Sequence, residues 1–211
     1  MPAATQKIFI DGPAGKIETI LSVPASTPQG IAIIAHPHPL HGGTMGNKVI
    51  QTMFNTLQLL DFAVVKFNFR GVGASDGVFD HGTGEIDDVI AVTAAIRNRF
   101  SDTTAKLPLL LGGFSFGGGI QLHAAEKLNP EFLILIAPSV ANLKAPPVPD
   151  SMQLTLIIQG DRDDIVLPEQ ILAWATTKSQ PIVFIPGAGH FFHGKLMLLK
   201  QLILAFFSNK T

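Results

Sequence analysis

The chain has no cysteine, no tyrosine and a single tryptophan among its 211 residues. The first absence excludes disulfides, thiolate nucleophiles and cysteine-bound metal outright. The second removes the phenolic hydroxyl as an oxyanion donor or general base. Charge is scarce as well: Asp, Glu, Lys and Arg make up 15% of the residues, and the formal net charge is −1. So thin a balance offers no basic face, and neither nucleic acid nor a membrane is expected as a partner. No uncharged apolar run reaches the ~20 residues needed to cross a bilayer. The nearest, Leu196 to Phe207, is broken by Lys200 and Gln201 and reads as a core-facing helix. The N-terminal stretch Met1 to Lys7 lacks the basic start and apolar centre of a secretory signal, so a soluble, cytoplasmic protein is expected.

What the chain has in quantity is apolar side chain, 46% of residues, enough for one sizeable core and a single domain over 1–211. Apolar, β-branched runs predict strands near Lys7-Ile10, Ile17-Val23, Ile31-His36, Ala63-Asn68, Leu107-Gly112, Phe132-Ala137, Leu154-Gln159 and Ile182-Ile185. The central ones are continuously apolar, as parallel strands covered on both faces must be. Helical stretches fill the gaps: Asn47-Leu60, Gly84-Phe100, Phe116-Leu128, Pro168-Thr176 and Phe191-Phe207. Strand and helix in regular succession predict a doubly wound α/β sheet of about eight strands. The first two strands have no helix between them and are expected to pair antiparallel at one edge. Between Pro138 and Gln153, four prolines argue against a long helix and leave no room for a large lid.

Gly113-Phe114-Ser115-Phe116-Gly117 lies between a predicted strand and a predicted helix. A serine on so sharp a turn needs almost no side chain two residues before it and two after, because larger groups would collide as the strand backs into the helix. The turn strains the serine backbone and lifts its hydroxyl to the positive end of the helix, a nucleophile's position. A Gly-rich turn that merely packs a helix on a sheet is the plainer alternative. An activated serine needs a base, and the base an orienting acid. Both occur downstream after predicted strands, in Gly160-Asp161-Arg162-Asp163-Asp164 and in Pro186-Gly187-Ala188-Gly189-His190. Such loops gather at the carboxyl ends of the strands of an open parallel sheet, and the chain order Ser, Asp, His is that of the α/β-hydrolases.

Two further segments carry a resemblance. Arg70-Gly71-Val72-Gly73-Ala74-Ser75 resembles the RGxGxS segment that many α/β-hydrolases carry after their fourth strand. His36-Pro37-His38-Pro39 with Gly42-Gly43-Thr44-Met45 and Asn47-Lys48 resembles the HPHP…GGTM.NK signature of a small, lidless branch of serine hydrolases. The resemblance covers nearly the whole chain and implies the α/β-hydrolase fold and esterase-like activity; separately, no cofactor is expected. It places Ser115 at the nucleophile, His190 at the base and Asp163 at the acid of a G-x-x-D turn counted from Gly160. Asp161 and Asp164 remain rivals to Asp163, and His193 is expected in a following helical turn with no catalytic part. One oxyanion donor is expected at the backbone N–H of Phe116, the residue after the nucleophile. The other is expected in the loop after Ile31-His36, where Pro37 and Pro39 have no N–H to give. His38 stands at the family donor's place, with Leu40 as the fallback.

Other readings carry less. His36, His38 and His41 form H-x-H-x-x-H, to which His81, His190 and Asp80 could add. Dinuclear zinc sites often place an acid before the last histidine, where this chain has Leu40, and no metal is expected. His36 is instead expected to anchor the strand end, and His41 to line or rim the pocket. Arg70 is expected to pair with Asp76 or Asp87 and hold its loop, or else to bind a substrate carboxylate. Glu85, Asp87 and Asp88 suit the start of a helix. Gly71-Val72-Gly73 lacks the third glycine of a dinucleotide fingerprint. The expected partner is a small-molecule ester or related acyl compound, with thioesterase, peptidase or non-catalytic binding as alternatives. The apolar stretch Leu143 to Met152 suits either a homodimer contact or a pocket wall.

Overall fold

A computed structural model describes residues 4–101, 106–150, 152 and 154–208. Met1 to Ala3 of the N-terminal stretch, and Ser151 and Gln153 of the proline-rich segment, lie outside the described residues. The strands are β1 (Ala4–Gly12), β2 (Gly15–Val23), β3 (Ile31–Ala35), β4 (Ala63–Phe67), β5 (Leu109–Phe114), β6 (Phe132–Ile136), β7 (Leu154–Gly160) and β8 (Val183–Ile185). The helices are α1 (Lys48–Leu59), α2 (Thr83–Arg99), α3 (Phe116–Leu128), α4 (Pro168–Thr176) and α5 (Leu196–Ser208). All eight strands form one sheet in the order β1-β2-β4-β3-β5-β6-β7-β8. The β1/β2 hairpin is antiparallel and joins β4 antiparallel, while β3 to β8 are mutually parallel. This is the α/β-hydrolase fold.

The continuous apolar runs divide by alternation between two cores. In β5, Leu109 and Leu111 point into one and Leu110 and Phe114 into the other. α2, α3 and α4 cover the first face and α1 and α5 the second, so the central parallel strands β3 to β6 are buried on both sides, while the edge strand β8 is half-buried. Among the described residues, no helix is long and apolar enough to cross a membrane.

Several boundaries differ from the sequence expectation by a residue or more, and three of the differences have a clear local reason. β1 spans nine residues rather than four, because its whole length pairs with β2. β5 begins at Leu109, since Pro108 has no N–H for the ladder and offers only its carbonyl, to Ile31. α5 begins at Leu196 instead of Phe191, because Phe192 and Gly194 have φ of +52° and +71°, which break a right-handed helix. His193 therefore lies in a turn ahead of the helix. Between β6 and β7 the described residues form turns without a helix, as the prolines require. This segment spends its apolar groups inside the chain: Ala145 and Val148 are buried in the first core, and Leu143 and Met152 pack against it.

Candidate active site

Four loops meet at the carboxyl ends of β3, β5, β7 and β8. β5 ends at Phe114 and α3 starts at Phe116, leaving Ser115 alone on the turn with φ 55° and ψ −120°. That is a left-handed conformation for a residue with a side chain, a strain of roughly 1–3 kcal/mol that its surroundings must hold. The Ser115 N–H donates to the Ile136 carbonyl at 2.9 Å, and the Ser115 carbonyl accepts from Ser139 at 2.9 Å and Gly119 at 3.1 Å. The flanking glycines have the expected steric cause. A Cβ on Gly113 would lie 2.5 Å from the Gly117 carbonyl oxygen, and one on Gly117 would lie 2.5 Å from the His36 carbonyl oxygen.

The loops after β7 and β8 are laced together by backbone. Arg162 N–H donates to the Ala188 carbonyl at 3.0 Å, and the Asp161 carboxylate accepts from Gly187 N–H at 2.6 Å. This lacing sets Asp163 against His190. His190 Nδ1 lies 2.8 Å from Asp163 Oδ2, and His190 Nε2 lies 3.0 Å from Ser115 Oγ. All three residues are buried, yet Ser115 and His190 open onto a shared pocket. Asp163 Oδ1 accepts from the amides of Ile165 at 2.9 Å and Val166 at 2.8 Å, and Oδ2 accepts a further bond from Gln159 Nε2 at 3.1 Å. Burial alone would raise the carboxyl's pKa. The hydrogen bond and charge of His190, followed by the two amides, outweigh it and hold the pKa below the ordinary carboxylate value. With Asp163 ionised, His190 carries its proton on Nδ1 and offers Nε2 as an acceptor to the serine hydroxyl.

The rivals are placed elsewhere. Asp161 is exposed and serves as the tether to Gly187, and Asp164 is exposed. His193 is exposed too, its ring stacked on Phe191.

The loop after β3 is built around His36, which is fully buried. Its Nδ1–H donates to the Pro37 carbonyl at 2.6 Å and its Nε2 accepts from Phe69 N–H at 3.1 Å. Both ring nitrogens are thereby used, and burial lowers its pKa to about 4, with the Pro37 carbonyl opposing. In a trans peptide the C=O and N–H point in opposite directions, so fixing the Pro37 carbonyl aims the His38 N–H away from the buried imidazole. The His38 carbonyl is in turn held by the amides of His41 at 3.1 Å and Gly43 at 3.0 Å. Leu40 N–H donates to His38 Nδ1 at 3.2 Å and is thus engaged. Among the described residues, the amides of His38 and Phe116 have no intramolecular acceptor. His41 lines the pocket and stacks on His38, their ring centroids 4.4 Å apart. No three metal-ligating side chains converge among the described residues.

Arg70 pairs with Asp88, not with Asp76 or Asp87. Its guanidinium meets the Asp88 carboxylate at 2.8 Å, because Asp88 lies on the buried face of α2 while Asp87 faces out. Asp76 is occupied by the Lys16 amide at 2.7 Å. Glu85 does more than suit a helix start: its carboxylate accepts from the amides of Asp80 and Gly82, both at 2.8 Å. Three supporting residues escaped the sequence reading. Gln159 braces the Asp163 carboxylate, Phe114 lies against the His190 ring with centroids 4.9 Å apart, and Ser139 holds the Ser115 carbonyl. Only Gln159 left a trace, as a polar residue closing an apolar strand just before the acidic turn.

A parallel sheet that delivers a serine on a left-handed turn after β5, with aspartate and histidine from the ends of β7 and β8, defines the α/β-hydrolase class. Residues 35–161 match the family model described as serine aminopeptidase, S33. An uncharacterised protein of Rickettsia prowazekii is 34% identical over 206 residues, spanning 90% of this chain and 83% of that protein. An α/β serine hydrolase homologue from Coxiella burnetii is 38% identical, with a TM-score of 0.87 and coverage of 96% of this chain and 97% of its own. A lidless α/β serine hydrolase from Xanthomonas campestris is 36% identical, with a TM-score of 0.85 and coverage of 98% and 94%. The chain belongs to this family of α/β serine hydrolases.

Proposed function

We propose that the chain hydrolyses small carboxylic esters through an acyl-enzyme formed on Ser115. The observation that carries this reading is the hydrogen-bonded line from Asp163 through His190 to Ser115 Oγ, beside two unengaged amides at Phe116 and His38. In the first half-reaction Oγ bonds to the acyl carbon while its proton passes to His190 Nε2, and Asp163 stabilises the imidazolium. The carbonyl oxygen becomes an anion held by the Phe116 and His38 amides, each worth roughly 2.7–4 kcal/mol in such a role. The bond to the alcohol breaks and the alcohol leaves with the proton from His190. Water then adds to the acyl carbon, gives its proton to His190, and Ser115 departs with that proton as the acid is released.

The pocket chemistry favours esters over the aminopeptidase substrates in the family's name. A free N-terminal ammonium calls for a carboxylate, and the described side chains lining the cavity at Ser115 supply none. Intact mass after exposure to a fluorophosphonate, for the native protein and Ser115→Ala side by side, tests the reading. One adduct on the native protein and none on the variant is expected. No adduct on folded native protein would overturn it, and turnover of aminoacyl anilides without ester turnover would redirect it to peptides.

A further inference from the structure

Two cavities flank the stacked pair His38 and His41. The smaller, about 90 Å³, holds Ser115 and is walled on its far side by His190, Ile165 and Phe191. The larger, about 410 Å³, lies beyond His38 and Phe116, the residues whose amides are unengaged, and His190 is not part of its wall. We propose that the larger cavity is the acyl subsite and takes a flat aromatic acyl group bearing a hydrogen-bonding substituent. The inference rests on the ester-hydrolase reading of Ser115.

Direction comes first. A tetrahedral carbon on Ser115 Oγ, with its oxyanion at the two amides, has two substituents left to place. The alcohol must lie within reach of the proton on His190 Nε2, which assigns it to the His190 side. The acyl chain takes the remaining direction, and the larger cavity, which shares His38 and His41 with the smaller one and lacks His190 in its wall, is the space that can receive it.

The walls then select the occupant. Phe79 lies 5.0 Å from His38, 5.8 Å from Phe116 and 5.0 Å from His81, ring centroid to centroid, and His38 lies 5.0 Å from Phe116. Rings in mutual contact make a stiff cup suited to tilted or edge-to-face packing of one more ring. Around it stand polar side chains of Ser139, Asn142, His41 and His81. Among the described residues none of these makes an intramolecular hydrogen bond, and Ser139 is only 8% exposed. A long alkyl chain laid across them would strip their water without replacing it. A hydroxylated ring fills the apolar walls and satisfies the rim.

The test holds the leaving group constant. Phenyl 3-(4-hydroxyphenyl)propanoate is expected to exceed phenyl octanoate in kcat/KM by tenfold or more. Phe79→Ala, and Asn142→Trp at the exposed rim, should each lower the ratio of the arylpropanoate to phenyl acetate about tenfold. The second variant keeps the test open if the first fails to fold. Independently, 3-(4-hydroxyphenyl)propanoic acid added to Ser115→Ala should shift the NMR signals of Phe79, His81 and the Asn142 amide. Phenyl acetate turnover with both ratios unmoved, or no shift at those residues at millimolar acid, overturns the subsite alone. Loss of fluorophosphonate labelling together with no ester turnover overturns the hydrolase reading beneath it.

Discussion

Each of the two histidines ahead of the 3-10 turn at Pro39–His41 has a separable part in the loop after β3, which we propose holds the oxyanion. His38 is proposed to act through its backbone, and its φ of −52° is one that proline adopts without strain. His38→Pro therefore deletes the N–H and keeps the chain path, and its kcat should fall roughly a hundred- to a thousand-fold. His38→Ala keeps the amide and should cost far less, and equal losses in stopped-flow ester assays would count against the backbone role. His36 makes a prediction about stability. Its pKa falls from 6.5 to about 4 on folding, so between those values the unfolded chain binds a proton that the folded chain refuses. Stability on this account is complete above pH 6.5 and lost as the pH falls toward 4, by roughly 3 kcal/mol across the window. Urea midpoints at pH 7 and pH 5 should differ for the native protein, and the difference should shrink in His36→Gln.

At the scale of the element, the strand-turn-helix around Ser115 works because backbone meets backbone where side chains would stand. Gly117→Ala places a methyl group against the Ala35 and His36 peptide and should destabilise the protein by roughly 1–3 kcal/mol, read from thermal or urea unfolding. The same shift would move Ser115 Oγ off His190, so activity should fall more than stability alone explains. This element was legible beforehand: Phe116-Leu128 and Pro168-Thr176 carry their own start signals, and α3 and α4 begin and end there. The strands were legible by their apolar runs and Ser115 and His190 by their place after them, whereas that place left Asp161, Asp163 and Asp164 open and only the family resemblance pointed to Asp163. Arg70's partner was not, because the choice between Asp87 and Asp88 is a 100° rotation about a helix whose burial only the fold decides. The start of α5 was not, because the left-handed turn ahead of it falls on Phe192, a residue type that carries no local signal for positive φ and is buried in the second core. Phe114 was missed because its partner His190 follows a distant strand, and Gln159 because only the folded turn brings Asp163, four residues on, back against its side chain.

Over the whole molecule, the chain spends little on covering its site. The described residues between β6 and β7 form turns tied to the core, and they offer no helix to swing across Ser115. A short-chain ester carried through its solubility limit should therefore be hydrolysed at a rate that follows the dissolved concentration and levels off. A jump in rate as the emulsion forms would contradict this. That same segment is held by the one tryptophan: Trp174 Nε1–H donates to the carbonyls of Ala145 at 3.2 Å and Pro146 at 3.1 Å. No tyrosine emits alongside it. The protein thus carries a built-in optical gauge, a lone indole whose ultraviolet emission reports the wall beside the larger cavity without any label.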